Sequence, residues 1–177
     1  MGWIFALIVV LIPTVAAVET TGPALVIAGD TLVVDETTIN LAAIDAPEFD
    51  QTCERDGVAW PCGEAAVEAL RGVVGDRPVA CRILERKGES SAIGTCTVGD
   101  EDLALAVVTL GFALGEPAAG ADIRAAEAAA RQAGLGIWSS EFIEPARWRK
   151  INDCSCAARR KAFMRLHESA TVTQPNP

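Results

Sequence analysis

Cysteine and arginine are the residue types from which chemistry reads most directly in this chain of 177 residues. There are six cysteines and one histidine, His167. Thiols in that number either cross-link or bind metal. A zinc site usually takes paired Cys-x-x-Cys or His ligands, and only Cys154-Ser155-Cys156 resembles a local thiol pair. An even count suits disulfides, which persist in a periplasm or exterior and not in a reducing cytosol. Cys53 and Cys62 bracket the middle of a loop that a bridge would staple. Cys81 falls opposite Cys96 if Gly88-Glu89 is a hairpin turn, and opposed residues at a non-hydrogen-bonded site are close enough to bridge. Cys53–Cys62 and Cys81–Cys96 are therefore the expected pairs. Cys154 and Cys156 stay unassigned, since six cysteines allow many connectivities.

The cations are unevenly spread. Net charge is −9, yet Arg147, Arg149, Lys150, Arg159, Arg160, Lys161 and Arg165 face only Asp153 within their stretch. The remainder is more acidic than the total suggests, which counts against tight nucleic-acid binding by that part. The basic stretch could bind a phosphate backbone or an anionic membrane surface, although a solvated tail is the commoner meaning of such a run. Trp60, Trp138 and Trp148 could stack bases. Trp138 is better read as core packing after the last helix.

These residues need elements to position them. The stretch Ala24–Ile27 leads to Gly29-Asp30, Thr31–Val34 reads as a strand, and Ile39–Ile44 resumes one after the polar Asp35-Glu36-Thr37. Asp45 to Gly63 mixes polarity around Pro47, Gly57 and Pro61 and reads as a loop. Glu64–Val74 has apolar residues at helical spacing and ends at Gly75-Asp76. Val79–Leu84 and Ala92–Val98 form a second hairpin pattern. Asp100 to Asp102 precede a helix over Leu103–Leu110, where acids suit the dipole. An Ala-rich helix over Ile123–Ala133 closes at Gly134. The order is three strands, helix, two strands, helix, helix, in one domain without internal repeats.

At the start, Trp3 to Ile12 is an apolar run of about ten residues, too short to span a bilayer. Pro13 and the small residues Val15, Ala16 and Ala17 follow, which reads as a secretory signal over 1–17. No Lys or Arg precedes the run, so an uncleaved anchor or a buried N-terminal helix is the rival reading. Export to a periplasm or exterior is the expectation. The other end, 149–177, reads as a basic and largely disordered tail.

Several strings occur in this order: Ala28-Gly29-Asp30-Thr31-Leu32, Leu41-Ala42-Ala43-Ile44-Asp45-Ala46-Pro47-Glu48, Gln51-Thr52-Cys53, Trp60-Pro61-Cys62-Gly63-Glu64-Ala65-Ala66, and Gly134-Leu135-Gly136-Ile137-Trp138. Together they resemble the staphylococcal nuclease (thermonuclease) family over residues 24–148. The resemblance implies an α+β fold, mainly a β barrel: a five-stranded OB-fold barrel with three helices, which agrees with the element order above. It also implies calcium-dependent hydrolysis of phosphodiester bonds in DNA or RNA. By position, Asp30 and Asp45 match the metal-binding aspartates, and Ala46 takes the place of the residue donating a backbone carbonyl. Such hard oxygens suit calcium, which binds a phosphate oxygen and a water. Glu48 matches the catalytic glutamate that orients or deprotonates the attacking water.

The departures from the family pattern weigh against activity. Two arginines brace the developing charge in the family, because the planar guanidinium suits phosphate bidentately. Here Asn40 stands at the first position, and Ser91 or Glu89 at the second. Ala28 replaces a usual aspartate, and the chain has no tyrosine. Arg86 and Lys87 lie near the second position and could partly substitute, Lys as a point charge. Two expectations remain open. One is a secreted, calcium-dependent phosphodiesterase of weak activity on single-stranded DNA or RNA. The other is a non-catalytic OB-fold binding or scaffold domain.

Overall fold

The computed structural model describes residues 19–152. The signal expected over 1–17, the tail from 153 onward, Cys154, Cys156 and His167 lie outside the described residues. The described residues open with a strand broken at Pro23, which has no N–H to give to a ladder. Its halves are β1 (Glu19–Gly22) and β2 (Ala24–Ala28). β2 pairs antiparallel with β3 (Thr31–Val34), and β3 with β4 (Thr37–Leu41) across Asp35 and Glu36, both at positive φ. β4 then runs parallel to β9 (Ser91–Val98), which pairs antiparallel with β8 (Val79–Arg86). β8 pairs in turn with β1. The sheet order β1-β8-β9-β4-β3-β2, with the short β10 (Glu101–Asp102) paired to β9 off this path, thus has the two halves of one broken strand at its ends. Pro23 joins those ends, so the sheet curls into an OB-like barrel of the expected α+β class.

The core follows strand alternation. Along β9 every second residue is buried, including Ala92, Cys96 and Val98. Leu32, Val34 and Ile39 join them from β3 and β4. Helix α1 (Cys62–Val74) adds Val67, Leu70 and Val74 beneath the barrel, and α2 (Leu103–Thr109) adds Leu103, Val107 and Val108. Asp102 caps α2 by accepting the Leu105 N–H at 2.9 Å. Helix α3 (Ala121–Ala133) ends at Gly134, whose left-handed φ of 63° suits glycine. The Cys53–Cys62 and Cys81–Cys96 disulfides are both present, the second joining directly opposed residues of β8 and β9.

Three elements differ from the sequence expectation. The strand expected over 39–44 stops at Leu41. Ala43 takes φ 68°, and the short β5 (Ile44–Asp45) leaves the barrel wall to pair with β11 (Leu114–Gly115). The loop expected from 45 to 63 contains a hairpin, β6 (Cys53–Arg55) with β7 (Val58–Trp60). Its turn is Asp56-Gly57 at φ 53° and 76°, the pair that a two-residue primed turn favours. Finally there are four α-helices among the described residues and not three. The additional α4 (Pro145–Asn152) crosses the boundary expected at 148, so residues 149–152 belong to a helix and not to a tail. Among the described residues, no helix is long and apolar enough to cross a membrane.

Candidate active site

Asp30 sits at the turn between β2 and β3, directly after Gly29. A Cβ on Gly29 would lie 2.7 Å from the Ala66 Cβ and 2.9 Å from the Ala46 Cβ. Only glycine lets α1, Ala46 and the Asp30 turn pack this closely. Asp30 Oδ2 accepts the Ala46 N–H at 2.9 Å, and Oδ1 accepts the Thr31 hydroxyl at 2.8 Å. Thr31 Oγ1 also lies 2.9 Å from the Asn40 side-chain oxygen. One hydroxyl proton cannot serve both oxygens. Turning the Asn40 amide so that its NH₂ faces Thr31 satisfies all three groups. Burial pushes the Asp30 carboxyl above its ordinary value. The Ala46 and Thr31 hydrogen bonds oppose that shift, and the charges of Asp45 and Glu48 add to it.

β5 carries Asp45, and the short loop after it carries Glu48. Gln51, fully buried, holds that loop. Its Oε1 accepts the Glu48 N–H at 3.3 Å, its own N–H donates to the Glu48 carbonyl at 2.8 Å, and its carbonyl accepts the Gly63 N–H at 3.0 Å. A Cβ on Gly63 would stand 1.8 Å from the Glu48 carbonyl oxygen, so the start of α1 presses directly on the loop. The Gln51 Nε2 donates to the Ile143 carbonyl at 2.6 Å, two residues before α4 begins. One buried amide therefore ties the Glu48 loop to the approach of α4.

α4 brings in a residue that the sequence reading missed. Arg149 Nη1 donates to Asp45 Oδ1 at 2.7 Å and to Glu48 Oε1 at 2.8 Å, and Nη2 donates to Asp45 Oδ2 at 3.1 Å. The hydrogen bond that Arg149 donates to Asp45 raises the guanidinium above its ordinary value, partial burial opposes this, and Glu48 adds to the rise. Asp30, Asn40, Asp45, Glu48, Lys87 and Arg149 line one open cleft of about 340 Å³, which Glu116 also borders.

The cleft gathers most of the residues singled out by sequence, but not all. Asn40 is in it, held through Thr31, with no arginine in its place. Lys87 is in it, and its Nζ pairs with Glu85 at 2.6 Å. Arg86 is exposed and absent from the lining, and Ser91 begins β9 beside Thr38, also outside the lining. Ala46 is buried and meets Asp30 through its N–H. Trp60 and Trp138 are half-buried around Ile137, with Arg55 and Arg131 stacked on their rings at 4.3 Å, which is packing and not an open base-stacking face.

The carboxylates suit a hard dication in kind. Their arrangement does not present them to one. Among the described residues, no group of three or more His, Cys, Asp or Glu side chains stands close enough to hold a metal ion. Asp30 is turned to the Ala46 N–H, while Asp45 and Glu48 share the Arg149 cation. Chemically, the cleft offers carboxylates able to hold a proton and two cations, Arg149 and Lys87, able to meet an anionic ester.

The profile of the staphylococcal nuclease homologue family matches residues 38–140. The chain is also 30% identical over 130 residues to the succinoglycan biosynthesis protein ExoI of Rhizobium meliloti (strain 1021), covering 71% of this chain and 68% of that protein. The curled, OB-like barrel sheet agrees with that match, and the chain belongs to the staphylococcal nuclease family.

Proposed function

We propose that this protein is a phosphodiester hydrolase of low turnover, acting with calcium on single-stranded DNA or RNA after export to an oxidising compartment. The convergence of Asp45, Glu48 and a guanidinium in one open cleft beside Asp30 carries this reading. Glu48 is the base, its carboxylate taking a proton from a water aimed at phosphorus. Arg149 engages only Oε1 of Glu48, and its planar fork matches the oxygens of a phosphodiester once it leaves the carboxylates. Lys87 adds a point charge. Asp30, Asp45 and the Ala46 carbonyl would hold calcium only once Arg149 has left Asp45, and the ion would then supply positive charge to a phosphate oxygen. Losing one charge-stabilising donor typically costs about 10²–10³ in rate, so one relocated arginine in place of two leaves a slow enzyme. The disulfides favour an oxidising compartment.

A second reading is a non-catalytic binding or scaffold domain. It is favoured by Arg149 neutralising the two carboxylates, by the net charge of −9, and by a relative named for succinoglycan biosynthesis. Cleavage of single-stranded DNA, measured with calcium and with chelator beside Glu48→Gln, separates the two. Calcium-dependent cleavage that disappears in Glu48→Gln supports the hydrolase. Wild-type cleavage no faster than the variant's background favours the binding domain.

A further inference from the structure

We propose that the outer face of α2 is a docking groove for the chain's own basic and apolar segment, residues 159–166. Six of the seven residues of α2 are apolar. A helix that is hydrophobic all round belongs inside a protein, covered on every side. Here one side is covered: Leu103, Ala104, Val107 and Val108 are buried against the core. The opposite side carries Leu105 and Ala106, with Leu110 one turn further on, and it borders an open groove of about 500 Å³ that Val73 of α1 also lines. Leu110 is 44% exposed. The Thr109 hydroxyl donates to the Leu105 carbonyl at 2.7 Å, so it makes no polar demand on the groove. Single exposed leucines are ordinary, but a contiguous apolar floor beside a helix of this composition marks a contact surface.

The rim is acidic. Asp102 is committed to capping α2, and Glu101 lies 3.5 Å from Arg77 in a half-exposed pair. Asp100 is exposed and has no ion-pair partner among the described residues. The segment 159–166 complements both parts of the groove. It reads Arg-Arg-Lys-Ala-Phe-Met-Arg-Leu, cations first for the rim and then Phe163, Met164 and Leu166 for the floor. Phenylalanine carries a large apolar area, and methionine adapts to an irregular surface. Exposed ion pairs add little affinity, so the apolar contact supplies the hold and the charges set the orientation. Reach is sufficient. Phe163 follows the end of α4 by eleven residues, an extended span of about 35–40 Å, and a domain of this size is about 35 Å across. Docking is independent of whether the carboxylate cleft turns over substrate.

Zero-length carbodiimide cross-linking and amide hydrogen exchange of the full, disulfide-bonded chain test this. Lys161 is one of three lysines, with Lys87 and Lys150, so peptide mapping by mass spectrometry identifies its links. A link from Lys161 to Asp100 or Glu101 is expected within the monomer, and it is expected to disappear in Phe163→Asp, which keeps the lysine and the acids. If the segment is seated about nine-tenths of the time, amides of α2 exchange about ten-fold more slowly in the wild type than in that variant. Phe163→Leu is expected to keep most of the protection. Absence of the Lys161 link would overturn docking, as would a link that survives Phe163→Asp, since charge alone then brings the segment near. A link found only in covalent dimers would assign the groove to a second copy and overturn the intrachain contact. Equal slowing across β8 and β9 would also overturn it, because that reports global stability and not a covered groove.

Discussion

Asp30 has two hydrogen-bond partners and still titrates above the ordinary carboxylate value of 3.8, because burial outweighs them. Its folded-state value exceeds its unfolded one, so protonation favours the folded form. The stability this confers is full below the ordinary value and is lost as pH rises through the raised one. Asp30→Asn keeps an acceptor for the Ala46 N–H and removes the charge. In chelator, its melting temperature relative to wild type is expected to be more favourable at about pH 7 than at about pH 3.5. A pH-independent difference would mean that the Asp30 charge is better solvated than its surroundings indicate. The same residue scale separates Asn40 from the family pattern. Its amide is committed to Thr31 in the β3–β4 register, so it offers the cleft a hydrogen bond and not a cation.

Elements decide whether such residues meet. The bend at Ala42-Ala43 takes Asp45 off the barrel wall, and β5 is fixed there by pairing with β11. Glu48 depends on Gln51, which joins its loop to the start of α1 and to the approach of α4. Gln51→Ala leaves the Glu48 N–H and the Ile143 carbonyl without their partner. Each lost hydrogen bond costs about 0.5–1.5 kcal/mol at these partly exposed partners, so a loss of roughly 1–3 kcal/mol is expected by urea unfolding. An unchanged midpoint would show that water replaces the amide.

For the whole molecule, the barrel and the two disulfides make one frame. Cys81–Cys96 closes a loop of sequence separation 15 within the barrel wall, and Cys53–Cys62 one of separation 9 beside the site. Loop-closure entropy assigns a bridge of the longer span about 3 kcal/mol, and less to the shorter. The Cys81→Ser/Cys96→Ser pair is expected to lower stability more than the Cys53→Ser/Cys62→Ser pair, measured by denaturant unfolding. The reverse order would mean that strain or packing, and not chain entropy, dominates. The long link from Arg149 to Asp45 is of another kind. It spans 104 residues with two solvent-reached hydrogen bonds, and a third runs from Arg149 to Glu48.

Much of the fold was legible along the chain because it is local. Strand alternation, the caps at Asp102 and Gly134, and the Gly29-Asp30 step all act within a few residues. The hairpin that opposes Cys81 and Cys96 was legible too, although its turn spans residues 88–90 and not Gly88-Glu89 alone, and a bulge between Ile83 and Glu85 restores the expected register. The Asp56-Gly57 turn was equally local, yet the mixed polarity around it hid a hairpin. By itself, the sequence also marked Asp30, Asp45 and Glu48 as acids in family register and Asn40 as a missing arginine. Tertiary structure alone decided where the replacement cation comes from. A helix after the last family motif returns to the cleft, and no periodicity in a short basic stretch encodes which distant carboxylates it will face. Arg149 reads as tail in sequence and as counter-cation in the fold, because its partners are set by barrel closure and by Gln51 and not by its neighbours in the chain.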